Sequence, residues 1–143
     1  MKKRFEIIMD GLRLIPAGAL IVSGVFHAVQ PIRFALSILS YLAVPAWFLF
    51  VFTAFFPYAM IALGVAMAVS RHLSVYILAT VVFAVFSLAQ GLALATGKIQ
   101  DCGCFGYFSD QISWKTVSVP FAMMIISLIC CFAMQRDTSV GET

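Results

Sequence analysis

The sequence predicts an all-α membrane protein: a polytopic four-helix bundle with a short interfacial helix between the first and second spans. Three observations carry that reading. Of 143 residues, 63% are hydrophobic and 10% charged, against about 25% charged in an ordinary soluble domain. The mean hydropathy is +1.05. The few charges leave uncharged windows at 14–32, 34–70, 73–97 and 116–135, and a crossing helix needs about 20 apolar residues. A small soluble domain has a large relative surface to cover, and nine basic plus six acidic side chains cannot cover it. A soluble enzyme, a nucleic-acid-binding domain and a disordered chain are therefore excluded. The net charge of +3 is spread along the chain, with no basic run suited to tracking phosphates, so the expected partner is the lipid bilayer and not nucleic acid.

The windows divide into one membrane domain, 1–143, with spans at about 13–30, 46–70, 74–96 and 114–134. Basic Lys2, Lys3 and Arg4 before an apolar run resemble a signal peptide, but three more spans follow, and the segment reads as a retained first helix. The second window is too long for one span and short for two. Pro31 breaks the chain after the first span, and Pro45 divides the second window, because the residue before a proline resists the α conformation. A short interfacial or re-entrant helix at about 34–44 then precedes a full span, which Pro57 kinks. The alternative, two spans at 34–56 and 58–70, leaves the second too short to cross. Gly24 with Ala28, and Gly64 with Ala68, are small-xxx-small pairs. Such pairs let helices approach closely, and plain bundle packing accounts for them.

Charge orients the chain. With four spans both termini share a side, which holds Lys2, Lys3, Arg4, Arg13, Arg71 and Arg136, against Arg33, Lys98 and Lys115 on the other. The excess of Lys and Arg puts both termini in the cytoplasm of a bacterial inner membrane. The loop 97–113 then faces outward, toward the periplasm in a Gram-negative cell.

That loop carries Asp101-Cys102-Gly103-Cys104-Phe105-Gly106. Two thiols separated by one glycine can close a small strained ring. Strain makes a disulfide labile and suits it to exchange, and so short a ring gains little as a structural brace. Cys102 and Cys104 are accordingly the candidate redox pair. A static disulfide and a metal site remain as alternatives. Zinc wants four ligands, and this side supplies two thiols with at best His27 and an aspartate.

His27 lies inside the first span, about one turn before Pro31 and at the level of the cysteine loop. Ionisable groups within spans are expensive and often functional. Beside a dithiol, a histidine can accept a proton or favour the thiolate, so His27 is the third candidate catalytic residue. The plainer alternative is a histidine reaching the headgroups or bonding a neighbouring helix. His72, beside Arg71, reads as an interfacial anchor. Cys130 and Cys131 sit near the inner end of the last span, about 24 Å from the outer loop if the helix starts at Trp114. That is too far for exchange, and small buried apolar residues is their default reading. The aromatics Trp47, Phe48, Phe50, Phe52, Phe55, Phe56 and Tyr58 could line a quinone site. Lipid-facing or core packing is the plainer role for them.

Three stretches carry a family resemblance. Ser23-Gly24-Val25-Phe26-His27, with Pro31 and Phe34 after it, is similar to a first-helix pattern of small-Gly-apolar-apolar-Lys, then Asp-Pro and Phe. Pro57-Tyr58-Ala59-Met60 with Leu63-Gly64 resembles a Pro-x-x-Glu…Gly pattern. Asp101-Cys102-Gly103-Cys104-Phe105-Gly106, with Ile112-Ser113-Trp114, is the specific element. Over about 11–133 the chain resembles the MauE family of methylamine-utilisation membrane proteins, within a wider DoxX-like four-helix group. The resemblance implies a role in disulfide formation or maturation of exported proteins, often with a thioredoxin-like partner, and makes Cys102 and Cys104 the redox pair. His27 stands where the pattern has Lys, and Met60 where it has Glu. That departure removes a buried ion pair.

Two functions are weighed. One is a membrane thiol–disulfide oxidoreductase acting on an exported thiol protein. With one cysteine pair outside, it needs direct quinone contact or a partner supplying a second pair. The other is a non-catalytic subunit of a larger membrane complex, with a static loop disulfide.

Overall fold

The computed structural model describes residues 2–41, 44–96 and 114–140. The described residues form five helices: α1 (Lys2–Val29), α2 (Pro31–Tyr41), α3 (Ala46–Val69), α4 (Leu73–Ala95) and α5 (Trp114–Val140). The fold is all-α, as the sequence predicts, with four helices long and apolar enough to cross a membrane and one short helix between the first two. The apolar segments are Ile7–Val29, Ala46–Val69, Leu73–Ala95 and Val117–Met134. The cysteine loop 97–113 lies outside the described residues.

Each helix buries one stripe and turns the rest outward. Along α1 the buried residues are Pro16, Ala17, Leu20, Ser23, Gly24 and His27, steps of three and four that follow the 3.6-residue turn. In α3 they are Pro57, Met60, Gly64 and Met67. Large apolar side chains such as Val22, Phe50, Phe55, Leu88 and Phe132 are exposed, which suits a surface solvated by lipid tails.

α1 packs chiefly on α3, and α4 on α5, with α1 also touching α5. Gly24 and Gly64 decide the first of these contacts. A Cβ at Gly24 would stand 2.7 Å from the Pro57 carbonyl oxygen and from Ile61 Cγ1. A Cβ at Gly64 would stand 2.7 Å from the Ala17 carbonyl oxygen and from Ile21 Cγ1. Each glycine thus backs onto the other helix seven residues before its partner glycine. This matched antiparallel crossing is possible only because neither has a side chain.

The break between α1 and α2 is a single residue, Gln30. Its N–H still bonds the Phe26 carbonyl at 3.0 Å, and its carbonyl accepts the Phe34 N–H at 3.2 Å. The short helix begins at Pro31, three residues earlier than position 34, because a proline at the first helical position lacks only a donor that has no partner there. α2 packs against α3 and α1.

The bundle's two ends are distinguished by contacts. Arg71, in the turn between α3 and α4, reaches Asp10 near the start of the α1 apolar segment. The same turn is tied by the Tyr76 hydroxyl, which donates to the Met67 carbonyl at 3.3 Å. The core at this end joins Leu20, Met67, Tyr76, Ala79 and Cys130. The C-terminal ends of α1 and α4 and the start of α5 therefore share the opposite end, which also holds α2.

Candidate functional site

His27 sits at that opposite end and is 3% exposed. It continues the buried stripe of α1, one turn beyond Ser23. Residues four apart on a helix face each other, and the Ser23 hydroxyl and His27 Nε2 are hydrogen-bonded at 3.4 Å. The headgroup reading of His27 is thereby overturned: the ring points into the bundle and its polar partner is on its own helix.

The rest of its surroundings are aromatic. Phe34, carried by α2, stacks on the imidazole with centroids 4.1 Å apart and planes at 24°. Phe86 of α4 lies 6.4 Å away at 18°. Phe34 extends the cluster to Phe56 at 6.0 Å and Phe52 at 6.1 Å, and those two stack on each other at 4.4 Å. Three helices thus contribute phenyl rings to one cluster around the α1 imidazole. Offset stacks of this kind contribute about 0.5–1.5 kcal/mol each beyond buried area, so the cluster is a strong brace for α2.

The α3 aromatics divide. Phe52 and Phe56 turn toward this cluster, while Trp47, Phe50, Phe55 and Tyr58 are exposed. Their spacing explains the division: positions four apart share a face, and the others fall on the lipid side.

A cavity of about 30 Å³ adjoins the cluster, room for a water or two. Ser23, Met60, Phe83, Phe86 and Met123 are among its walls. The two positions that depart from the Lys and Glu of the resembled pattern, His27 and Met60, thus converge on one spot through Ser23 and Phe86. Met60 is buried and brings no charge there.

Cys102 and Cys104 lie outside the described residues, as does Asp101. Among the described residues Cys130 and Cys131 are free thiols. Cys130 is buried in the core beside Tyr76 and Ala79, the small apolar role expected of it. No group of three or more His, Cys, Asp or Glu among the described residues could hold a metal ion. His72 precedes α4 at the Asp10 end, is exposed, and its carbonyl accepts the Val75 N–H at 3.1 Å.

Sequence reasoning did not foresee that Phe34 and Phe86 would enclose His27. Phe86 is 59 residues away on another helix, and only helix pairing brings it close. The Ser23 partnership was legible from the i, i+4 spacing. These features define a class: a small all-helical membrane protein of four crossing-length helices, with a buried imidazole in an aromatic cluster at the end that holds α2. The family model described as methylamine utilisation protein MauE matches residues 5–134, and the chain belongs to that family. Comparison with curated proteins and with solved structures finds no match to either.

Proposed function

We propose that this protein is a membrane thiol–disulfide redox protein that supports disulfide formation or maturation of exported proteins. The observation that carries the reading is the Cys102-Gly103-Cys104 element in a chain that belongs to the MauE family. In the exchange, a substrate thiolate attacks one sulfur of a Cys102–Cys104 disulfide and expels the other as thiolate. The second substrate thiol then resolves the mixed disulfide, leaving substrate oxidised and both cysteines reduced. Reoxidation hands two electrons and two protons to a membrane-soluble acceptor. A quinone is the chemical class proposed, with Phe52 and Phe56 the α3 rings that reach the His27 cluster through Phe34. His27 is proposed to handle a proton in this cycle. The termini are proposed to be cytoplasmic and the loop periplasmic, where the partner is a thioredoxin-like or other exported thiol protein.

In Cys104→Ser the lone Cys102 thiolate is expected to attack the disulfide of an oxidised partner, expel one partner thiolate and remain joined to the other sulfur as a mixed disulfide, visible on non-reducing gels. Absence of any adduct from both Cys104→Ser and Cys102→Ser, with substrate oxidation unchanged, sinks the proposal. A second reading is favoured by the closed packing around His27 and the uncharged Met60: a non-catalytic subunit of a larger membrane complex. Copurification at fixed stoichiometry, with full activity after both loop cysteines are replaced by Ser, would support it instead.

A further inference from the structure

The end of the bundle opposite His27 carries a charge cluster that the redox reading does not use. Arg71 Nη2 donates to both Asp10 oxygens, at 2.8 Å to Oδ1 and 2.7 Å to Oδ2. Arg13 Nε lies 3.3 Å from the same Oδ1. Among the described side chains, one carboxylate therefore serves two guanidiniums and leaves one positive charge in excess.

The two arginines differ in their surroundings. The Arg71 side chain is 56% exposed, and the Asp10 side chain 41%. The Arg13 side chain is only 17% exposed. Arg13 lies within the apolar segment Ile7–Val29, about 4.5 Å deeper than Asp10 at 1.5 Å per residue. Both Nε and Nη1 are buried; Nε is paired with Asp10, and Nη1 makes no hydrogen bond among the described residues. A guanidinium with buried, unsatisfied donors is costly in any apolar setting. A second acceptor with a negative charge offsets the excess charge, and it meets Nη1 once the Arg13 head lifts toward the surface.

At this depth the abundant anion is the phosphate of a lipid. Guanidinium suits it, because its planar fork donates to two phosphate oxygens at once. Asp10 holds both arginines within reach of one carboxylate oxygen, so a single phosphate can touch both. A long arginine side chain can also lift its head toward the interface while its stem stays among apolar groups.

We propose that Arg13 and Arg71, positioned by Asp10, bind the phosphate of an anionic lipid headgroup at the end of the bundle where α1 begins. The site is independent of the thiol chemistry. By charge it belongs to the leaflet whose surface is negative.

The test uses the full chain, delipidated in a neutral detergent and titrated with phosphatidylglycerol, phosphatidylcholine or inorganic phosphate. Binding is read by native mass spectrometry and thermal unfolding. Phosphatidylglycerol is expected to bind and raise Tm, with phosphatidylcholine weaker and inorganic phosphate without effect. Arg71→Gln, at an exposed position that leaves the core untouched, is expected to weaken phosphatidylglycerol about tenfold, the size of one lost charged contact. Arg13→Gln is expected to weaken it further, and Arg13→Lys to restore part. Equal binding of phosphatidylglycerol by wild type and Arg71→Gln would overturn the site, as would equal affinity for phosphatidylcholine. An arginine-dependent shift reproduced in full by inorganic phosphate would overturn the lipid assignment and leave a free-phosphate site.

Discussion

Gly24 and Gly64 are the two notches of one helix crossing: each receives the partner backbone where a Cβ would meet a carbonyl oxygen at 2.7 Å. The relationship is reciprocal, and it sets how closely α1 and α3 approach. It also sets the register that puts Ser23 and Met60 on one cavity.

The first prediction concerns that crossing. Gly24→Ala or Gly64→Ala forces the backbones apart and should destabilise the bundle by about 1–3 kcal/mol, the usual cost of overpacking. The double variant should cost less than the sum, because the shift that admits one methyl partly admits the other. Unfolding in mixed micelles measures both. Additive costs would mean the notches act separately.

His27 separates packing from chemistry. His27→Ala removes a ring from the aromatic cluster and should cost about 3 kcal/mol, as large-to-small core changes do. His27→Phe keeps a ring between Phe34 and Phe86 and should stay within about 1.5 kcal/mol of wild type, as volume-conserving swaps do. If His27 handles a proton, His27→Phe should nonetheless slow thiol oxidation. Full activity in that stable variant would assign His27 to packing alone.

Phe34 is the buried side chain by which α2 holds the cluster. Phe34→Ala should release α2 while α1 and α3 persist, since their crossing is independent of it. Hydrogen exchange at the α2 amides should rise by more than an order of magnitude, matching a loss above about 1.4 kcal/mol in local stability. Uniform change across all helices would show that α2 is no separate unit.

Cys130 and Cys131 should be dispensable. Cys130→Ala and Cys131→Ala, alone or together, are expected to leave thiol exchange unchanged and to cost no more than about 1 kcal/mol each for the lost contact. Cys130 should resist alkylation until the protein unfolds, because it is buried in the core. Rapid labelling of Cys130 in the folded protein would contradict its placement.

Much of this molecule was written in its composition. The bilayer admits only structures that satisfy their own backbone, so scarce charges and four long apolar stretches were enough to specify four helices. The proline pattern placed a short helix after the first span, though Pro31 opens that helix rather than preceding it. The candidate dithiol and His27 were visible as residue types in a pattern, since thiol spacing and an ionisable group in a span are local properties.

What only the tertiary structure decided is where side chains point and what they meet. A helix of almost uniform hydrophobicity carries little signal for which face is inside. α3 therefore did not reveal in advance that Phe52 and Phe56 turn inward while Phe50 and Phe55 face lipid. The enclosure of His27 by Phe34 and Phe86, and the ion pair of Arg71 with Asp10 across 61 residues, exist only once helices pair. Periodicity along one helix fixes a direction, but a contact between helices depends on register and crossing, and here two glycines set both for α1 and α3.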